Sequence, residues 1–125
     1  MKGLKSRILV LAAGAAVVCA SSAITASTAH AATGWDRCPS GYFCIFDGHD
    51  GTGKMAYFQW GSPNLAGQGM DNMTSSYWNR TSRWWTAWDA YNYAGHFVFT
   101  SQAGGRSNIP VDWFANNRAS SLKAT

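Results

Sequence analysis

The sequence predicts an all-β sandwich built from two tandem copies of one motif, and three observations carry that prediction. The 125-residue chain holds 7 Trp, 5 Tyr and 6 Phe, all after residue 31, together with 13 Gly and no Glu; aromatic side chains suit pleated, half-buried surfaces better than helices. Short extended runs alternate with turn clusters: "GYFCIF", "KMAYFQW", "SSYWN", "WWTAWDA", "HFVFT" and "SSLKA" are parted by "DGHDGTG", "GSPNLAGQG", "YNYAG" and "SQAGGRSN". Finally, the chain repeats itself. Phe46, Gly51 and Gly53 return 42 residues later as Trp88, Tyr93 and Gly95, and Asp71-Asn72-Met73-Thr74-Ser75-Ser76 returns 45 residues later as Asn116-Asn117-Arg118-Ala119-Ser120-Ser121.

The first element is an export signal. Lys2, Lys5 and Arg7 precede the apolar run "ILVLAAGAAVVCA", and Ala29-His30-Ala31 offers the small-x-small site that a signal peptidase cuts. The run is too short to span a bilayer comfortably. The expectation is a secreted, extracellular protein that starts near Ala32 and has no membrane partner after cleavage. Lipidation at Cys19 is the weaker alternative, because Val18 stands where a small residue is needed. Without residues 1–31 the chain keeps seven Lys and Arg against six Asp, so its formal charge falls from +4 to +1. That balance gives nucleic acid no electrostatic footprint, and residues 32–125 suffice for one domain with one core.

Cys38 and Cys44 come next, parted by "PSGYF". Export places them in an oxidising compartment, where a local disulfide is expected. A zinc site would need two further soft ligands, and only His49 and His96 are on offer. The following stretch, "GHDGTGKM", is one residue away from a phosphate-binding loop. Met55 stands where a Ser or Thr must ligate Mg²⁺, and "MAYFQW" alternates like a strand where a helix should open. The glycines therefore mark a hairpin tip. Six Asp with no Glu, two cysteines committed to each other and no nucleophile beside an evident base argue against catalysis, so the chain reads as a non-enzyme.

In the order aromatic, glycine hairpin, acid-or-amide pair, serine pair, these residues resemble the Greek-key motif of the βγ-crystallin superfamily, and "WDAYNYAGH" fits its hairpin pattern. The resemblance implies two tandem Greek-key motifs, approximately 41–80 and 81–125, forming one βγ-crystallin-like sandwich domain. Gly51 stands where the second aromatic of the first hairpin belongs. That hairpin lacks the ring that packs over its own turn, and is expected to be looser.

In that superfamily the six-residue pattern is a calcium site. Ca²⁺ takes about six to eight oxygen ligands, which carboxylate, amide, hydroxyl and backbone carbonyl groups supply without nitrogen or sulfur. The resemblance assigns Asp71, Asn72, Met73 and Ser75 to site one and Asn116, Asn117, Arg118 and Ser120 to site two, with Met73 and Arg118 giving backbone oxygens. A further carbonyl for each site is expected from the other motif's hairpin, near Asp47 and Asp89. Site two has no carboxylate at its first two positions and should be the weaker. The same residue types also make ordinary turns by bonding their own backbone, and Ser76 and Ser121 read as residues that tie down the hairpins.

The tryptophans remain. Trp78, Trp88 and Trp113 read as core, while in "SRWWTAW" the neighbours Trp84 and Trp85 fall on opposite faces of a strand, so one faces outward beside Arg80 and Arg83. This pair is the candidate partner-binding surface. "CPSGYFCIF" directly after a signal peptide, followed by two crystallin-type motifs, resembles peptidase inhibitor family I36, small secreted actinobacterial proteins whose founding activity is inhibition of metalloproteinases. The resemblance implies a monomeric, calcium-stabilised inhibitor of an extracellular (metallo)protease. The second disulfide often found in the later half of such proteins has no cysteines here. The alternative is a calcium-binding βγ-crystallin-like extracellular binding or stress-protective module with no protease target.

Overall fold

The computed structural model describes residues 33–125; the expected signal peptide, residues 1–31, lies outside the described residues. The described residues form eight strands: β1 (Phe43–Phe46), β2 (Met55–Phe58), β3 (Gly61–Ser62), β4 (Ser76–Asn79), β5 (Trp85–Trp88), β6 (Phe97–Ser101), β7 (Arg106–Asn108) and β8 (Ser121–Ala124). They form two four-stranded antiparallel sheets, in the orders β2-β1-β4-β7 and β3-β8-β5-β6. Each motif thus keeps three strands in its own sheet and gives its third to the other. The expected all-β sandwich of two Greek keys is the observed architecture.

Alternation along the strands decides what enters the core. Phe43 and Ile45 of β1, Tyr77 of β4, Trp85 and Ala87 of β5, Phe99 of β6 and Leu122 of β8 meet between the sheets. Their rings form a stack across the interior. Trp85 lies 4.6 Å from Phe43 at an interplanar angle of 8°, and Tyr77 lies 4.6 Å from Phe99 at 4°. Phe43 and Tyr77, 6.0 Å apart, join the two pairs. Full burial of an apolar side chain of this kind contributes about 1.5–3 kcal/mol, and each aromatic pair adds about 0.5–1.5 kcal/mol beyond its area.

β1 is buried on both faces, because a second, smaller cluster covers the outer face of its sheet. Cys38, Cys44 and Phe46 form it, with Trp35, Tyr42, Met55 and Trp78 packed around them. The segment before β1 supplies half of this cover. A short 3₁₀ turn, Gly34–Arg37, places Trp35 edge-on to Phe46 at 5.5 Å, and the Cys38–Cys44 disulfide ties the segment to β1. Closing so short a loop stabilises by about 2 kcal/mol in the chain-entropy account.

This arm corrects the expectation of a loose first hairpin. In the second motif Tyr93 packs edge-on to Trp88 at 5.8 Å. In the first, Trp35 takes the equivalent position on Phe46 from outside the hairpin. A Cβ on Gly51 would lie 2.6 Å from the Trp35 backbone nitrogen, so the missing side chain is what lets the arm settle there. Arg37 then donates to the Gly51 carbonyl at 2.7 Å.

Two further expectations change. Trp113, read as core, is 49% exposed, because Trp113 and Phe114 sit in the irregular turn after β7 rather than on a strand. Trp85, offered with Trp84 as a partner contact, is fully buried in the ring stack, whereas Trp84 is 52% exposed. The two tryptophans should therefore behave oppositely on substitution. Trp85→Ala is expected to cost about 3–5 kcal/mol in chemical denaturation, the range for deleting a large core ring, and Trp84→Ala less than about 1 kcal/mol. Equal losses for the two variants would contradict the packing described.

Candidate functional site

The folded hairpins build the site. In each, residues in the left-handed region turn the chain back over the sheet: Asp50 (φ 56°) and Gly51 (φ 69°) in the first, Asn92 and Tyr93 (both φ 61°) in the second. One serine per motif pins the fold. Ser76 Oγ donates to the Gly48 carbonyl at 2.6 Å and accepts the Gly51 N–H at 3.1 Å. Ser121 Oγ does the same with the Ala90 carbonyl at 2.6 Å and the Tyr93 N–H at 3.0 Å. The carboxylates at the hairpin bases repeat as well: Asp47 Oδ1 accepts the Lys54 N–H at 2.8 Å and Asp89 Oδ1 the His96 N–H at 2.7 Å. A side chain at Gly53 or Gly95 would collide with these oxygens. Ser76 and Ser121 thus have the anchoring role expected of them.

The acid-or-amide pairs lie next to these anchors. Asn72 and Asn117 both adopt left-handed backbone (φ 56° and 58°), a conformation that Asn tolerates better than most residues. Each backbone N–H crosses to the other motif: Asn72 donates to the Ala119 carbonyl at 2.9 Å and Asn117 to the Thr74 carbonyl at 3.0 Å. The side chains cross too. Ser120 Oγ donates to Asn72 Oδ1 at 3.3 Å, and Ser75 Oγ to Asn117 Oδ1 at 3.1 Å.

This crossing revises the expected grouping. Asn72 is brought to Ser120, not to Ser75, and Asn117 to Ser75, not to Ser120. Asp71 also points across, accepting the Tyr91 phenol of the second hairpin on Oδ2 at 2.9 Å, a bond that raises the Tyr91 pKa. One cluster therefore holds Asp71, Asn72 and Ser120 beside the second hairpin. The other holds Asn116, Asn117 and Ser75, and the Ser75 N–H bonds the Phe46 carbonyl at the base of the first hairpin. The sequence pattern located these residues but could not assign them, since a hexapeptide does not say which partner its ends will meet.

Both clusters contain an unused oxygen. Asp71 Oδ1 and Asn116 Oδ1, at equivalent positions, are buried without a hydrogen-bond partner; such groups are costly unless something satisfies them. Thr74 Oγ1 is a third orphan, and nothing in the structure satisfies it. The carbonyls of Met73 and Arg118 accept no hydrogen bond among the described residues. The carboxylate, amide, hydroxyl and backbone carbonyl oxygens of the two clusters make a donor set suited to a hard cation. Among the described residues no three His, Cys, Asp or Glu side chains converge, so the clusters offer nothing to a soft metal.

Asp89 lies beside the second hairpin with its carboxyl held below the usual carboxylate range, first by the His96 N–H and further by the Arg118 guanidinium at 3.1 Å.

An antiparallel sandwich of two strand-exchanged Greek keys with paired hairpin anchors has the fold of βγ-crystallin domains, and the solved structures agree. The model superposes on a βγ-crystallin from Ciona intestinalis with a TM-score of 0.59 at 22% identity, over 68% of this chain and 100% of that one. It superposes on an archaeal βγ-crystallin at 0.55 and 19% identity, over 70% and 100%, and on a domain from Clostridium beijerinckii at 0.54 and 15%, over 66% and 95%. No curated protein matches the sequence. The model of peptidase inhibitor family I36 matches residues 31–100, and the chain belongs to that family.

The Asp89 carboxylate at the second hairpin has a pH signature. A carboxyl whose folded pKa is depressed contributes stability that is complete above its unfolded pKa of about 3.9 and is lost as the pH falls through the folded value. In chelator-treated buffer, Asp89→Asn should flatten the acid limb of the Tm profile below about pH 4. Parallel profiles for the variant and the parent would show that Asp89 is not held as described.

Proposed function

We propose that the protein is a secreted inhibitor of an extracellular protease, of the metalloprotease type, whose two motifs are clamped together by Ca²⁺. Membership of family I36 supports the inhibitor half. Among the described residues no helix is long and apolar enough to cross a membrane. A rigid domain with a short staple and a stacked core presents surface segments at little entropic cost, which is what an inhibitor needs.

The metal half rests on the paired orphan oxygens of Asp71 and Asn116. Asp71, Asn72 and Ser120 would hold one ion and Asn116, Asn117 and Ser75 the other, with the Met73 and Arg118 carbonyls at hand. Bound there, the ion would supply positive charge to oxygens that now lack a donor. Because each cluster takes its residues from both motifs, occupancy would tie one Greek key to the other. The cluster with Asp71 carries the carboxylate and would bind more tightly.

The second reading is a calcium-binding extracellular or stress-protective module with no protease target. The same oxygen clusters support it, as does the likeness to crystallin domains.

Ca²⁺ at millimolar concentration should raise Tm, since sites of this kind bind at about 10⁻⁴–10⁻³ M and an ion that binds only the folded state stabilises it by mass action; Mg²⁺ should not. Ser120→Ala should diminish the effect more than Ser75→Ala, because Ser120 shares a cluster with Asp71. A calorimetric titration that stays flat to several millimolar Ca²⁺ would end the metal reading.

Purified protein at micromolar concentration should slow at least one enzyme in a panel of secreted metallo-, serine and cysteine proteases, most strongly among the metalloproteases. Inhibition of none, with Ca²⁺-dependent stability intact, would leave the second reading standing alone.

A further inference from the structure

Two surface segments could carry a partner, 61–69 and the stretch 82–88 that holds Trp84, and the structure separates them. Residues 61–69 contain β3 and a 3₁₀ turn, Leu65–Gln68, capped by the Asn64 side chain. Their exposed side chains are small or polar, among them Pro63, Ala66 and Gln68. The hairpin tips are occupied by contacts of their own: Asp50 with Asn108 in the first, and Asn92 with the Pro63 carbonyl in the second.

The linker between the two motifs differs from all of these. It runs from Arg80 to Trp84 and crosses from one sheet to the other. Ser82, Arg83 and Trp84 are exposed, yet the backbone beneath them is locked from inside. Asn79, fully buried, donates through Nδ2 to the Arg83 carbonyl at 2.7 Å and the Gln102 carbonyl at 2.8 Å. Its Oδ1 accepts the Thr81 N–H at 3.0 Å and the Thr81 hydroxyl at 2.7 Å. Thr81 Oγ1 in turn accepts the indole N–H of Trp85 at 2.9 Å and the Arg83 N–H at 3.2 Å. The core ring stack thus reaches into the linker and fixes it.

The linker stands as a ridge between two clefts. On one side, a cleft of about 230 Å³ is lined by Gln59, Trp60, Arg80, Thr81, Ser82 and Arg83. On the other, one of about 300 Å³ is lined by Trp84 with Tyr77, Thr100, Gln102 and Arg106. Trp60 is 68% exposed, and the Arg83 guanidinium lies 5.4 Å over its ring. Trp and Arg are the residues that most often dominate protein–protein binding energy, and neither Arg83 nor Arg80 has a carboxylate within salt-bridge distance among the described residues.

We infer that the Arg80–Trp84 ridge, with Trp60 beside it, is the surface that enters the substrate cleft of the target protease, and that Asn79 and Thr81 hold it in the bound shape. This rests on the inhibitor reading above. The partner that fits this surface is concave: a convex ridge with an aromatic ring on each flank complements a cleft with neighbouring subsites. The Arg83 N–H and carbonyl are both bonded within the domain, so they are not available to pair with an enzyme as an extended substrate strand does. The ridge engages through side chains and resists cleavage. Little order is lost on docking, since it is already imposed.

The test compares variants against whichever protease the wild-type protein inhibits. Arg83→Ala, Trp84→Ala and Trp60→Ala should each raise the inhibition constant by about ten-fold or more, with Tm within a few degrees of the parent. Thr81→Val keeps Trp60, Arg83 and Trp84 and removes the locking hydroxyl. It should weaken inhibition several-fold, and the variant should be cut within 80–84 on prolonged incubation where the parent is not. If the wild-type protein inhibits and the three surface variants inhibit equally well, the ridge is not the contact, though the inhibitor reading survives. If the wild-type protein inhibits nothing, both fall together. Loss of retention on insoluble cell-wall glycan in the same variants, with inhibition unchanged, would assign the ridge to a glycan and overturn the proposal.

Discussion

One serine hydroxyl in each motif, bridging a carbonyl and an amide of the hairpin folded above it, is the contact on which the remaining architecture depends. Ser76 and Ser121 each satisfy two backbone groups that would otherwise be lost under the turn. That bridge draws the residues at positive φ down onto the sheet, and the contacts of Asp50 with Asn108 and of Asn92 with the Pro63 carbonyl add to it. With it in place, the preceding serine of each hexapeptide is carried to the asparagine of the other motif. The oxygen clusters are a by-product of the way the hairpins are anchored, and for that reason they appear twice.

The two halves have reached the same packing by different means. The second hairpin covers Trp88 with its own Tyr93. The first has a glycine at that place and borrows Trp35 from the preceding arm, which the Cys38–Cys44 disulfide holds down. Arg106 lies 4.9 Å over Trp35 and 5.1 Å over Trp78, and Arg80 lies 4.5 Å over Trp78 while donating to the Cys38 carbonyl at 2.8 Å. A row of guanidinium groups and indoles thus extends the cover across the outer face of the first sheet. Such stacking contributes about 0.5–1 kcal/mol per exposed pair, and it gives the arginines of a nearly neutral domain a structural use.

Much of this was legible in the residues, and the parts that were not share a cause. The duplication gave the fold because glycine and aromatic positions report backbone needs that no other residue meets well. Trp85–Trp88 was readable by its alternation, because one face of it enters the core, and Phe43–Phe46 as a short apolar run, because both of its faces are covered. β3 and β7 were hidden inside the turn clusters "GSPNLAGQG" and "SQAGGRSN". β7 is three exposed polar residues, and β3 only two residues long; what makes them strands is the edge of a sheet made by the other motif, a long-range condition no local window contains. The same holds for the oxygen clusters, whose members were identifiable and whose grouping was not. Trp35 gave no signal beyond being aromatic, and its role follows only from the space left by Gly51.

The exchange of β3 and β7 bears on how such a protein could arise. A lone copy of the motif, ending near residue 80, would own a strand with no sheet to join and a sheet edge with no strand to close it. Two identical copies related by a two-fold axis would complete each other, since an isologous pair offers each edge the strand it lacks. Joining the end of one copy to the start of the next turns that dimer into a monomer. The junction is the Asn79-locked linker, where the end of the first repeat meets the start of the second and two chains become one.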